Sequence, residues 1–382
     1  MSKFAPILRS ALVALNFVMP GAGALAADPG VGPDELVIGQ NITLQGGKNR
    51  YGVEVEAGIE SYLRAVNQAG GVHGRKIVLR TLDDENQASK AEANARQLID
   101  SGVFILFGSI EGGPSTAVMK AAVEQKVPFF GPMAGSPELR RPAQPLVFPV
   151  RAEHREEFRA LIGYGTKTGL KRVGFFHADS DTGRQHLENV RLASKDLGAE
   201  VTLPMPFKSD ISDAQLDVLV AQLKSAQVEM VLNHGSPSVY ERLLRKARSS
   251  GVRATFFAVN SGSTQMAESL GPLAHGMVFS QVMPSPWARK TEITREYQDA
   301  FKRTNPTHEF SYGSLEGYVT AKALVTALKL AGPRPTREGF VRALDGAVMQ
   351  LGGLKSSYRA GENEGSTFVD LSIVTSQGKF LQ

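Results

Sequence analysis

The stretch Ala57–Asp100 constrains the fold more than any other part of this chain. It begins with apolar side chains at helical spacing, namely Ile59, Tyr62, Leu63 and Val66. Gly70-Gly71 predicts the end of that helix, because glycine takes left-handed backbone angles without a steric clash. A buried strand is indicated at Ile77–Leu79, and helical spacing returns at Ala88–Ile99. An α/β unit of this kind predicts a parallel sheet.

The same alternation continues along most of the remaining sequence. Further strands of this first sheet are predicted at Leu36–Ile38, Val103–Phe107 and Val127–Phe130, with a polar loop at Gly39–Gly52. Strands of a second sheet are predicted at Arg172–Phe176, Glu200–Leu203, Val228–Leu232, Thr255–Val259 and Met277–Phe279. After Pro284, helices are predicted at Arg289–Thr304, Leu315–Leu330 and Arg337–Leu344, followed by strands near Phe368–Val374. The fold class is therefore α/β, with two doubly wound parallel-sheet lobes.

The N-terminal residues 1–26 have the pattern of a secretory signal peptide. Lys3 and Arg9 precede the apolar run Ala11–Val18, and Ala24–Ala26 offers small residues for cleavage. The run is shorter than the roughly 20 residues that a membrane-spanning helix needs. The chain contains no cysteine, so a lipid-anchored N-terminus, disulfides and thiolate catalysis are excluded. We expect a periplasmic protein without a lipid anchor.

Composition and motifs argue against several function classes. The 382 residues are enough for about two domains, and the net charge is only +5. Without a basic block, a nucleic-acid partner is not expected. No P-loop, nucleophile elbow or zinc-protease motif occurs, so the sequence does not predict an enzyme or a cofactor. The seven histidines are scattered, and Asp83–Glu85 is interpreted as a solvated turn, so no metal site is predicted.

The segment AVNQAGGVHGRKIVLRTLDDENQASKAEANARQLI resembles the leucine/isoleucine/valine-binding family of periplasmic solute-binding proteins. This resemblance implies a periplasmic-binding-protein type I fold, with lobe 1 at 27–151 plus 284–362 and lobe 2 at 152–283 plus 363–382. It also implies a monomer that binds a small molecule in the interlobe cleft and delivers it to an ABC permease in the membrane. Hinge crossovers are expected near Val150–Ala152, Val282–Pro286 and Gly361–Gly365.

Ligands of open parallel sheets bind beyond the carboxyl ends of the strands. The loop Gly108–Ser115 follows a predicted strand and precedes a helix, so it is either a carboxylate-binding loop or an ordinary turn. The resemblance favours the first interpretation and adds the loop after the next strand. From these two loops we predict ligand contacts at Ser109, Glu111, Gly112, Gly113, Ser115, Met133, Ala134, Gly135 and Ser136.

Position within the resembled family adds five further candidates: Tyr51, Asp181, Thr182, Ser236 and Asn260. Tyr51 either covers the ligand side chain or only packs at a helix start. Amino-acid binders of the family have an acidic residue where this chain has Asn260, and a buried ammonium without a counter-charge is costly. Glu111 or Asp181 supplies that charge, or the ligand lacks an α-amino group. The solute is thus a branched-chain amino acid, an amide or a related small carboxylate, and a ligand sensor of the same fold is the alternative function.

Overall fold

The structure is a computed structural model that describes residues 1, 28–46, 49–259, 262–359 and 362–381. The predicted signal peptide, apart from Met1, and the predicted site residue Asn260 lie outside the described residues. Within the described residues, no helix combines the length and the apolar character that a membrane span requires.

Strands and helices are numbered separately in chain order. The strands are β1 (Glu35–Ile42), β2 (Lys76–Asp83), β3 (Leu106–Phe107), β4 (Phe129–Phe130), β5 (Val147–Phe148), β6 (Arg172–Ala178), β7 (Glu200–Phe207), β8 (Met230–His234), β9 (Thr255–Ala258), β10 (Val278–Gln281), β11 (Val348–Gln350), β12 (Lys355–Arg359), β13 (Glu362–Gly365), β14 (Asp370–Val374) and β15 (Phe380–Leu381). The α-helices are α1 (Asn49–Gln68), α2 (Ala88–Asp100), α3 (Gly112–Glu124), α4 (His154–Lys167), α5 (Asp181–Asp196), α6 (Asp213–Ser225), α7 (Pro237–Ser249), α8 (Ser263–Leu270), α9 (Glu292–Thr304), α10 (Tyr312–Leu330) and α11 (Arg337–Leu344).

Two sheets dominate the fold, as the alternating sequence pattern predicts. The first has the order β2-β1-β3-β4-β5 and is parallel throughout. The second has the order β15-β14-β10-β9-β8-β6-β7, in which β14 runs antiparallel to β10. Helices cover both faces, and each sheet has its own buried apolar clusters. The predicted α/β class with two doubly wound lobes is confirmed.

Three local features differ from the sequence predictions. The loop predicted at Gly39–Gly52 is much shorter, because β1 continues to Ile42 and α1 already begins at Asn49. The turn at Asp83–Glu85 is not fully solvated, because the Asp84 side chain is buried. Asn41 and Thr43 donate hydrogen bonds to its carboxylate at 2.7 and 2.6 Å, so polar residues are satisfied inside the strand region. The sequence pattern also does not predict β5, α4 or the antiparallel sheet β11-β12-β13.

The C-terminal helices return to the first sheet. Helix α10 packs along α1, and residues of α9, α10 and α11 belong to the same buried cluster as β1 and β3. Gly58 and Gly317 allow the close approach of α1 and α10. A Cβ atom at Gly58 would lie 1.9 Å from the Ser314 carbonyl oxygen. This packing supports the proposed return of residues 284–362 to lobe 1. The predicted boundary at residue 362 lies at the start of β13, whose residues up to Gly365 still pair with β12 of the lobe 1 segment.

Candidate functional site

A cleft of about 850 Å³ lies between the two sheets, at the carboxyl ends of their parallel strands. From the first sheet, the loops after β3 and β4 line it with Glu111, Gly112, Gly113, Ala134 and Ser136. From the second, its walls include His154, Thr182, His234, Ser236 and Gly262. This is the edge at which open α/β sheets bind ligands. The cleft is therefore the candidate binding site.

The loop between β3 and α3 has an unusual backbone. Ser109 and Glu111 have φ angles of 91° and 67°, which non-glycine residues seldom adopt. The loop is fixed by the Met133 backbone N–H, which donates to the Ser109 carbonyl oxygen at 2.8 Å. Such strain persists only where the surroundings hold it, and it clusters at binding sites. The result is that α3 begins at the cleft wall with Gly112 and Gly113.

Several helices begin at this cleft and direct their positive ends toward it. Helix α3 does so from the first sheet, while α7 and α8 begin beside the wall residues Ser236 and Gly262 of the second. The first backbone N–H groups of a helix have no acceptor within the helix, and the helix dipole favours negative charge there. The backbone N–H groups at the starts of helices on both sheets can consequently bind a carboxylate or another small anion in the cleft.

A buried arginine holds the loop after β4 in place. The Arg140 guanidinium donates hydrogen bonds to the carbonyl oxygens of Ala134, Ser136 and Arg151, at 3.2, 3.3 and 2.9 Å. Burial lowers the pKa of Arg140 to about 10, which leaves it charged at neutral pH. One side chain thus connects two cleft-wall residues to the first predicted hinge crossover.

Two side-chain contacts join the lobes across the cleft. The Thr182 hydroxyl donates to the Glu138 carboxylate, which lies on the first-sheet side. At the surface, Arg50 of α1 forms an ion pair with Glu268 of α8, with Nη2 and Oε1 3.0 Å apart. Both partners of that pair are solvent-exposed, so it contributes little to stability. These contacts show where the two lobes meet.

A chain of buried polar groups crosses between the lobes behind the cleft. Tyr51 of α1 donates to Glu316 of α10 at 2.6 Å, and Glu316 lies 3.6 Å from the Arg151 guanidinium. Arg151 also forms an ion pair with Glu157 of α4, and both side chains are completely buried. Burial raises the pKa of Glu157, but Arg151 and its hydrogen-bond donors outweigh this and bring it to about 2. The carboxylate is therefore charged and paired.

Replacing Tyr51 with phenylalanine tests the hydroxyl end of this chain. We expect Tyr51→Phe to lower the free energy of unfolding by about 1–2 kcal/mol, because the buried Glu316 carboxylate loses a donor. Urea unfolding measures this loss. Tyr62→Phe is the control, since the Tyr62 hydroxyl has no hydrogen bond within the described residues. An equal loss in both variants would contradict the expectation.

Three histidines from different elements meet at the lobe 2 wall. His154 begins α4, His186 lies in α5 and His234 ends β8, and one nitrogen of each lies within 4.8 Å of the others. Burial lowers the pKa of His186 well below its usual value, so this imidazole is neutral. The sequence does not predict this cluster, because the three residues have no regular spacing along the chain.

A family model described as periplasmic binding protein matches residues 35–377. The chain belongs to the periplasmic binding protein family. The predicted resemblance to the leucine/isoleucine/valine-binding type is confirmed by relatives such as a Leu/Ile/Val-binding protein homolog 3 of Brucella melitensis. It is 23% identical over 313 residues, 81% of this chain and 83% of the relative.

Solved structures of periplasmic binding proteins share the fold. A possible leucine/isoleucine/valine-binding protein from Rhodopirellula baltica superposes with a TM-score of 0.82 at 23% identity, covering 91% of this chain and 96% of that one. A fatty acid ABC transporter substrate-binding protein from Thermomonospora curvata gives 0.81 at 20% identity, covering 93% and 92%. The predicted type I fold is therefore confirmed. The family consists of solute-binding proteins and not of enzymes, and it implies a location outside the cytoplasm.

The structure separates the predicted ligand residues of this periplasmic binding protein into three groups. Those on the cleft wall are Glu111, Gly112, Gly113, Ala134, Ser136, Thr182 and Ser236. Those packed behind the wall are Tyr51, Ser109, Ser115, Met133 and Gly135, of which Ser115 donates to Ser109 at 3.0 Å. Asp181 is directed away, because its side chain is 91% exposed and forms an ion pair with Arg184. Asn260 lies outside the described residues.

Proposed function

We propose that this protein is the periplasmic solute-binding component of an ABC importer and that its solute is a small carboxylate. The observation that carries the proposal is the start of α3 at the cleft wall, opposite the starts of α7 and α8. Their backbone N–H groups and dipoles favour a negatively charged group between the lobes. The solutes in the names of the compared proteins, branched-chain amino acids and fatty acids, have a carboxylate in common.

Branched-chain amino acids have an α-amino group, whereas fatty acids do not. Of the two acidic residues predicted to pair with an ammonium group, Glu111 lies on the cleft wall and Asp181 is exposed to solvent. Glu111 already interacts within the protein, so an ammonium in a closed cleft would have to compete for that charge. We propose that the solute lacks this group, so that backbone N–H groups bind its carboxylate and the apolar part of the wall, including Val259 and Met266, contacts its chain.

Binding of a deaminated analogue tests this choice. We expect 4-methylpentanoate to raise the melting temperature and to bind at least about tenfold more tightly than leucine in titration calorimetry. The neutral 4-methylpentanamide should bind at least about tenfold more weakly than the acid, because it brings no charge to the helix ends. Leucine binding as tight as that of 4-methylpentanoate would contradict the absence of an ammonium group, and its loss in Glu111→Gln but not in Asp181→Asn would identify Glu111 as the counter-charge. A screen in which no carboxylate raises the melting temperature would contradict the proposed solute class.

We propose that binding acts through closure of the lobes about the three hinge crossovers. A ligand shifts this equilibrium only if it contacts the closed form better than the open form, and a solute held by α3 together with α7 meets that condition. Small-angle X-ray scattering should show a smaller radius of gyration after the solute is added. An unchanged radius at saturating solute would contradict closure. Loss of solute uptake in a deletion strain tests the importer role.

A further inference from the structure

The histidine cluster on the lobe 2 wall has the donor set of a metal site. Its ring centroids lie 4.0 Å apart for His186 and His234, and 5.3 and 5.5 Å from His154 to these two rings. The three candidate ligand atoms lie within 4.8 Å of one another. Nitrogens bound to one tetrahedral Zn²⁺ at 2.0–2.1 Å lie about 3.3 Å apart, so the ligand atoms would have to move closer by up to about 1.5 Å to complete the site.

The His186 imidazole is buried without hydrogen bonds to the described part of the chain, which packing alone does not explain. Its side chain is completely buried, and neither ring nitrogen has a hydrogen-bond partner within the described residues. A buried polar group without a partner costs free energy, so native structures nearly always satisfy such groups with protein, water or an ion. A metal ion coordinated by one ring nitrogen would satisfy that nitrogen, which no surrounding side chain in the described ranges does.

His154 is held by the kind of second contact that metal-binding histidines have. Its Nδ1 lies 2.9 Å from the Glu157 carboxylate, so a metal ion would be coordinated by the other ring nitrogen, Nε2. Glu157 is itself fixed by Arg151 and by the Ser280 hydroxyl, which donates to it at 2.6 Å. A carboxylate behind a histidine orients the ring and raises its basicity toward the metal. The buried polar chain behind the cleft therefore also orients a metal ligand.

The open side of the cluster faces the cleft. His154 and His234 both line the cleft, and Gly135 permits the approach of the loop after β4, because a Cβ atom there would lie 2.6 Å from the His154 ring. We infer that His154, His186 and His234 bind a divalent transition-metal ion of the Zn²⁺ type. The fourth coordination position takes a carboxylate oxygen of the solute, so this part of the inference depends on the proposed function. A solute bound to the metal on lobe 2 and to α3 on lobe 1 would contact both lobes.

Metal titration of the full, tag-free protein tests the site directly. After dialysis against EDTA, calorimetry with ZnCl₂ should show one saturable site, and Co²⁺ should give the intense visible bands of a tetrahedral complex. His154→Gln and His234→Gln should each weaken Zn²⁺ binding at least about tenfold. His275→Gln, at an exposed position, is the matched control and should leave it unchanged. Wild-type protein without a saturable site, or equal affinities in all variants, would overturn the inference.

Replacing His234 instead of His186 distinguishes a loss of metal binding from a loss of folding. His186 is completely buried and its replacement carries a risk of misfolding, whereas His234 is half-buried. Circular dichroism and thermal melts of metal-free His234→Gln should match metal-free wild type. A variant that folds normally and still binds Zn²⁺ as wild type does would overturn the assignment of His234.

Solute binding with and without metal tests the fourth position. Affinity for 4-methylpentanoate should fall at least about tenfold in metal-free wild type and recover when ZnCl₂ is restored. In His234→Gln, added ZnCl₂ at the same concentration should not restore it. Equal solute affinity in metal-free and Zn²⁺-loaded protein would overturn the carboxylate coordination, while the proposed function would stand. Failure of every carboxylate to bind under both conditions would instead overturn the proposed function.

Discussion

Replacement of Arg151 with methionine is expected to lower the free energy of unfolding by about 3–5 kcal/mol. The Arg151 side chain is completely buried and forms an ion pair with Glu157, with Glu316 3.6 Å away. Methionine fills much of the same volume but leaves two buried carboxylates without their shared cation. An uncompensated buried charge costs several kcal/mol, so the loss is larger than that of an ordinary surface change. Urea unfolding followed by circular dichroism measures it.

An exposed ion pair provides the control for Arg151→Met. Arg342 of α11 forms an ion pair with Glu338 at 2.7 Å, and the two side chains are 70% and 81% exposed. Water and salt screen such a pair, so Arg342→Met should leave the denaturation midpoint nearly unchanged. Adding Glu157→Gln to Arg151→Met should restore part of the lost stability, because it removes one of the unpaired charges. Arg151→Met with the stability of Arg342→Met would contradict the assigned role of the buried network.

The buried network lies where the predicted crossovers connect the two lobes. Arg151 lies in the first predicted crossover, while its two acidic partners belong to α4 and α10. The second crossover follows β10, whose Ser280 donates to Glu157. The third passes beside the first, where the Ser366 N–H donates to the Val150 carbonyl oxygen at 2.9 Å. The same buried groups therefore contact all three predicted crossovers or the residues beside them.

The sequence predicted the elements whose apolar residues have a clear period. The unit from α1 to α2 and the strands of the second sheet are of this kind, because each buries a continuous face. Strand β5 has only two residues and follows a proline-rich loop, so it gave no periodic signal. The polar residues Gln40 and Asn41 are buried within β1, and their hydrogen-bond partners are distant in sequence, so the sequence pattern predicts a loop for this part of the strand.

The candidate site was predictable only where a loop directly follows a strand. Gly112 and Ser136 were found in this way, because glycines and hydroxyls after a strand indicate a binding loop. Position alone suggested Asp181, whose side chain is directed into solvent by its pairing with Arg184. The histidine cluster could not be found, since nothing in one sequence shows that α4, α5 and β8 place their ends together.

Replacement of Gly58 with alanine should destabilise the protein by about 3 kcal/mol, because there is no room for a methyl group between α1 and α10. A Cβ atom at Gly58 would lie 1.9 Å from the Ser314 carbonyl oxygen, and one at Gly317 would lie 2.1 Å from that of Val55. Backbone atoms cannot rotate away as a side chain can, so the two helices must separate and lose packing over their shared face. Gly163→Ala in α4 is the control, because its nearest neighbour would be a side-chain carbon 3.9 Å away. That variant should be neutral or more stable by up to about 1 kcal/mol, since alanine favours the helix. A loss in Gly58→Ala no greater than in Gly163→Ala would mean that α10 does not complete lobe 1 and that the proposed return of residues 284–362 is wrong.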